Sequence, residues 1–149
     1  MKKAILIIAF YGVCTMAMDS CKKQNSNPTT PSCSVNGTTV NIGGSAGGSY
    51  FVLLGSSGSS TYDYLYFDNT DLNFYLYETV NGFNAGGSYI MDVGQQSCPG
   101  FSYSGTPNAA LVAYKKGEGY AGVFKDGHSV KFITTSYSGG IALISYVYQ

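Results

Sequence analysis

The stretch Tyr62–Glu78, YDYLYFDNTDLNFYLYE, decides the fold. Two runs of alternating side chains flank Asp68-Asn69-Thr70-Asp71, a cluster of turn-forming residues, and this is the pattern of an antiparallel hairpin. A loop of Asn69-Thr70, or of all four residues, predicts one register. Phe67 then faces Leu72, Leu65 faces Phe74 and Asp63 lies opposite Leu76, while Tyr64 meets Tyr75, Tyr62 meets Tyr77 and Tyr66 meets Asn73. One face is aliphatic and phenylalanine, suited to a core, and the other is a ladder of tyrosines. Each cross-strand ring pair adds about 0.2–1 kcal/mol to a sheet.

The tyrosine face has three readings. Tyrosine is a favoured strand residue that packs its ring and leaves its hydroxyl in water, so the ladder serves the sheet alone in the first. In the second, Tyr62, Tyr64, Tyr66, Tyr75 and Tyr77 form a flat aromatic surface for sugar rings or for the apolar side chains of a protein partner. In the third, another sheet covers the rings. Tryptophan, common in sugar-stacking sites, is absent. Asp63 is the one acid that the register sends toward the core, which requires a place at the sheet rim or a hydrogen-bond partner.

Outward from this hairpin the chain repeats the same grammar. Short runs rich in Tyr, Val, Ile and Phe recur between Gly, Ser and Asn clusters, with almost no helical periodicity. Strands are expected near 38–42, 49–54, 62–67, 72–80, 88–93, 109–115, 119–125, 128–135 and 140–148, with 101–104 a weaker candidate. The fold class is all-β, an antiparallel β-sandwich of about 8–10 short strands, with a closed up-and-down β-barrel as the alternative. Asp126-Gly127 predicts a two-residue type I′ turn, which sets Val123 opposite Val130 and Ala121 opposite Phe132, with Phe124, Gly122 and Lys131 on the other face. Residues 109–148 then form a four-stranded meander. The joints GGSAGGS (Gly43–Ser49) and GSSGSS (Gly55–Ser60) read as flexible turns, because strands follow them where a phosphate-binding loop requires a helix.

Catalytic chemistry is thinly supplied, and the expectation is a non-enzyme with no catalytic residue, metal or cofactor. His128 is the only histidine and follows a tight turn, where a solvated side chain is usual. No G-x-S-x-G elbow, H-E-x-x-H or C-x-x-C pair is present. One histidine and two cysteines do not close a zinc shell. The alternative, a carboxylate-dependent hydrolase of envelope or extracellular polymers, needs two acids converging in a cleft, and no spacing suggests that convergence. Asp68 and Asp71 do not match a calcium-loop pattern.

The beginning of the chain concerns address, not fold. MKKAILIIAFYGVCTMAMDSCKK places Lys2 and Lys3 before an apolar run, Ala4–Met18, in the layout of an export signal. The run is interrupted by Tyr11, Gly12 and Thr15 and is shorter than the roughly 20 apolar residues of a spanning helix. Met18-Asp19-Ser20-Cys21 closes it with a cysteine after a small residue. This resembles the lipobox of bacterial lipoproteins, with Asp19 where that family prefers a small uncharged residue. The resemblance implies cleavage before Cys21, lipid on the Cys21 thiol, and a location in the bacterial cell envelope, facing the periplasm or the exterior. A conventionally cleaved or an uncleaved signal is the alternative.

The expected organisation is therefore a signal peptide at 1–20, a lipid anchor and flexible linker at 21–31, and a single all-β domain at 32–149. Several acyl chains on one residue give stable membrane attachment where one is marginal. Cys33 and Cys98 lie in the folded part, and in an oxidising compartment they are candidates for one disulfide. Beyond residue 20 six lysines face seven acids and no arginine is present, so no phosphate-binding stripe forms and nucleic acid is not expected as a partner. The partners expected are the membrane, through Cys21, and a glycan or envelope protein. The whole reads as a membrane-anchored binding or structural module.

Overall fold

The computed structural model describes residues 37–44, 49–58 and 60–149. Cys21, Cys33, the signal and the linker lie outside the described residues. Among the described residues ten antiparallel strands form two five-stranded sheets packed face to face as an open β-sandwich, which decides against the closed barrel. The first sheet runs, in spatial order, β1 (Thr38–Gly43), β10 (Ile141–Tyr148), β9 (Ser129–Ser138), β8 (Glu118–Val123) and β6 (Tyr89–Gln95). The second runs β2 (Ser49–Ser57), β3 (Thr61–Asp68), β4 (Asn73–Val80) and β5 (Phe83–Asn84), with β7 (Leu111–Ala113) sharing the outer edge of β4 with β5.

The alternation along β3 and β4 is realised residue by residue. Leu65, Phe67, Phe74 and Leu76 point inward and are buried, and they meet Ile42, Ile90, Tyr120, Phe124, Val130, Phe132 and Ile144 of the first sheet. Each such side chain contributes about 1.5–3 kcal/mol on leaving water. Aromatic contacts knit the middle of this core: Phe74 lies edge to face against Phe132 at 5.0 Å, and Tyr120 stacks on Phe132 at 4.9 Å. Leu76 packs against Gly122, so close that a Cβ there has no room.

The predicted face partition of the tyrosine hairpin holds, but its pairing is corrected by two residues. Phe67 pairs with Phe74, Leu65 with Leu76 and Asp63 with Glu78, while Tyr66 pairs with Tyr75, Tyr64 with Tyr77 and Tyr62 with Thr79. The loop is Asn69–Leu72, closed by Asp68 Oδ1 accepting the N–H groups of Thr70 and Asp71, with Leu72 at φ +55°. A shift of two leaves every side chain on its predicted face, because the strand period is two.

At Asp126-Gly127 the slip is a single residue and the faces exchange. Phe124 N–H bonds to His128 O, so the loop has three residues, Lys125-Asp126-Gly127, with Gly127 at φ +96°. Gly122 therefore faces Val130 and Tyr120 faces Phe132, while Ala121 lies opposite Lys131. Phe124, Gly122 and Tyr120 share the core face, and Ala121 joins Phe101 and Ile133 in a small cluster on the outer side of the first sheet.

Other expectations need correction. The four-stranded meander is a three-stranded one, β8-β9-β10, because β7 pairs with β4 of the second sheet and β6 takes the edge of β8. The segment before β7 crosses between the sheets, with Ala109 exchanging backbone hydrogen bonds with Ile90 on the way. β2 continues to Ser57, so half of GSSGSS is strand. Residues 101–104 are not a strand; Phe101 instead covers the outer face of the first sheet, held by Lys131 Nζ donating to its carbonyl at 3.1 Å. Asn81-Gly82, both at positive φ, makes the tight turn from β4 to the short β5 that the sequence reading missed.

Candidate functional site

The outer face of β2, β3 and β4 is an aromatic platform. Tyr62, Tyr64, Tyr66, Tyr75 and Tyr77 all point outward, and among the described residues no further sheet covers them. Phe51 of β2, which sequence reasoning missed, stands at their centre. Register places it opposite Tyr66, and its ring lies 4.7 Å from Tyr66 and 5.8 Å from both Tyr64 and Tyr77. The signal was the odd-position alternation of β2, legible once β2 is laid beside β3. Phe51 is 56% exposed and Leu53 52% exposed, so two large apolar side chains lie bare next to the tyrosines. A shallow groove of about 560 Å³ runs over Phe51, Tyr62, Tyr64 and Tyr77, with Thr79 and Asn84 at its polar edge. On the outward positions of β3 and β4 from Tyr62 to Tyr77 the one charged residue is Asp68, at the end of β3 opposite Asn73.

A second constellation sits at the end of the sandwich away from the Asn69–Leu72 turn. Asp63 and Glu78, cross-strand neighbours at the last inward positions of β3 and β4, are buried at 0% and 3% exposure. The β8–β9 loop closes over them: Asp126 N–H donates to Glu78 Oε2 at 2.8 Å. His128 Nδ1 lies 2.8 Å from Asp126 Oδ2 and 3.2 Å from Asp63 Oδ2, and the Tyr148 hydroxyl donates to Asp63 Oδ2 at 2.6 Å. Asp63 thus lies at the rim of the sheet with its Oδ2 hydrogen-bonded, while its Oδ1 has no hydrogen-bond partner among the described residues. Burial raises the Asp63 pKa above the ordinary carboxylate value; the Tyr148 hydrogen bond opposes this, Asp126 adds to it, and His128 opposes it. Burial, with the hydrogen bond to Asp63, raises the Tyr148 phenol.

His128 is therefore not the free, solvated side chain expected after a tight turn. It is 35% exposed and engaged with two carboxylates. No short-range spacing reveals this, since Asp63 and His128 meet only after β3 and the β8–β9 loop are brought to one end of the sandwich. The geometry does bring two acids together, Asp63 and Glu78, both buried. Cys98 is buried and is not without a partner.

No family model matches this chain, and neither a curated protein nor a solved structure matches it.

Proposed function

We propose that this chain is a lipid-anchored envelope protein whose second sheet presents a non-catalytic aromatic platform to an uncharged carbohydrate. One asymmetry carries the reading. Phe101 covers the part of the first sheet's outer face at Met91, Val93, Ala121 and Ile133, whereas the outer face of the second sheet leaves Phe51 and Leu53 open beside the tyrosines. A ladder that served only the sheet has no need of an exposed phenylalanine and leucine beside it. Ring faces suit the apolar faces of pyranose units, and the tyrosine hydroxyls with Thr79 and Asn84 supply hydrogen bonds for their equatorial oxygens. The one charge on these outward positions, Asp68, is acidic, so the face favours a neutral glycan over an acidic one. A protein partner that offers apolar side chains is the competing occupant of the same face.

In this proposal Cys21 carries the lipid and residues 22–31 are the tether that lets the platform sample the surface beside the membrane. A bond from Cys33 to Cys98 fastens the tether's end to the domain, and the burial of Cys98 supports it. In the chain-entropy picture a crosslink over that span contributes about 4 kcal/mol.

The test is binding of the full-length protein, in detergent, to an array of neutral and acidic envelope polysaccharides, beside a Tyr64→Ala/Tyr77→Ala variant with unchanged circular dichroism. Binding to neutral glycans that the variant loses supports the platform. Equal binding by both proteins, or none by the wild type, overturns it.

A further inference from the structure

We propose that Asp63, Asp126 and His128 form a binding site for a divalent transition-metal cation. One ligand atom from each of Asp63, Asp126 and His128 lies within 4.8 Å of the other two. With metal–ligand bonds of about 2.0–2.2 Å, donor atoms that share one shell sit roughly 2.8–3.6 Å apart. The nitrogen lies 2.8 Å from one carboxylate and 3.2 Å from the other, inside that window. A single Nδ1 proton serves only one of these two carboxylates at a time. A cation between the three atoms serves both.

An independent observation points to a missing partner. Asp63 is fully buried, yet its other oxygen, Oδ1, has no hydrogen-bond partner. A buried carboxylate oxygen left unsatisfied costs more than a neutral group would, and a cation that Asp63 holds through both oxygens removes that deficit. The local charge agrees. Asp63, Glu78 and Asp126 converge here, and among the described ion pairs the single cationic candidate in the cluster is His128.

The ligands are also held from behind, as metal ligands are. Tyr148 hydroxyl donates to Asp63, and Asp126 Oδ1 accepts the N–H of His128 at 3.0 Å while its own N–H is fixed on Glu78. The partial exposure of His128 and Asp126 gives an ion a route in and leaves room for water at the remaining positions. One imidazole with two carboxylates favours Zn²⁺ or Mn²⁺ over Ca²⁺, which prefers an all-oxygen shell. Sequence reasoning missed the set because it weighed histidine and cysteine as zinc ligands and did not combine the histidine with distant acids.

The test uses full-length protein stripped with EDTA and titrated by calorimetry with ZnCl₂, MnCl₂ and CaCl₂, with thermal melts in parallel. The expected result is one Zn²⁺ or Mn²⁺ per chain and a melting temperature that rises with metal concentration. His128→Gln and Asp126→Asn should each weaken binding by about tenfold or more. The amide introduced by Asp126→Asn retains an oxygen for the His128 N–H, so the loop should survive, and metal-free melts of both variants near the wild type check this. Absence of binding to the wild type, unchanged affinity in both variants, or preference for Ca²⁺ overturns the assignment.

Discussion

The Tyr148 hydroxyl donates to Asp63 Oδ2 at 2.6 Å, tying the last strand of the first sheet to the second sheet across 85 residues of sequence. The bond explains how a carboxylate comes to lie at an inward strand position. It predicts that Tyr148→Phe, which keeps the ring and removes the donor, destabilises the fold by about 1.5–3 kcal/mol, as expected for a hydrogen bond to a buried charged group. Gly55 of β2 packs directly against the Tyr148 ring and leaves no room for a Cβ, so Gly55→Ala should push the ring away and cost about 1–3 kcal/mol. Urea denaturation of both variants and of the double variant measures this. Because both changes act on one contact, the double variant should lose less than the sum.

The pH dependence of stability should carry two opposite contributions from carboxylates. Asp63 has a native pKa raised by burial, so its contribution is full below the unfolded value of about 3.9 and is lost as pH rises through the higher native value. Asp92 is the reverse. Burial works to raise it, but the ammonium of Lys115 at 2.6 Å and the N–H of Gly94 at 2.9 Å outweigh burial and hold it below the ordinary value. Its contribution is therefore full above about pH 3.9 and is lost as pH falls through the native value. Urea midpoints from pH 2 to 8 with EDTA present should show Asp63→Asn flattening the decline on the neutral side. Asp92→Asn should flatten the loss on the acid side.

The platform rings should differ in what they do for the sheet. Tyr66 touches Phe51, Tyr75 and Tyr77 at 4.7, 5.4 and 5.6 Å, whereas Tyr62 meets only Tyr64, at 6.4 Å, among the described ring contacts. With aromatic pairs worth about 0.5–1.5 kcal/mol each, Tyr66→Ala should lower stability clearly and Tyr62→Ala by less than about 1 kcal/mol. Thermal melts rank the two. If the proposed glycan platform is right, Tyr62→Ala, which lines the groove at little structural cost, weakens binding while leaving the melt nearly unchanged.

What the sequence showed and what it hid follow from the period of two. Alternation in β3 and β4 separated the core residues Leu65, Phe67, Phe74 and Leu76 from the tyrosines even though the turn lies one residue later than expected, because the resulting register error of two returns each side chain to its face. At the β8–β9 loop an error of one put Phe124 and Gly122 on the face opposite Val130 and Phe132, whereas the structure has them on the same face. Binary pattern did not correct it, since Tyr120, Ala121, Val123 and Phe124 include apolar residues on both faces. The acid cluster was invisible for a different reason. Its members come from β3, β4, the β8–β9 loop and β10, and only sheet order, which local sequence does not encode, brings Asp63, Glu78, Asp126, His128 and Tyr148 to one end.

Tyr120 provides the last prediction, because it is a phenol placed where a phenylalanine would fit. Its ring is fully buried between Phe74 and Phe132, at 5.5 and 4.9 Å. Its hydroxyl accepts the Lys115 N–H at 2.8 Å and donates to the Ala113 carbonyl at 3.0 Å. These bonds hold the chain where it leaves β7 on the second sheet and turns toward β8 on the first, at the last residue of β7 and just beyond it. Burial pushes the phenol pKa up, and the group stays neutral at all ordinary pH values. Tyr120→Phe keeps the stacking and leaves the Lys115 N–H without its partner, which should cost about 1–3 kcal/mol. Phe74→Ala, which empties the middle of the core, should cost more, about 3–5 kcal/mol. Hydrogen exchange distinguishes the two mechanisms. Tyr120→Phe should speed exchange first at Lys115 and its neighbours, whereas Phe74→Ala should speed it throughout both sheets, and a uniform change in both variants would show that the crossover has no stability of its own.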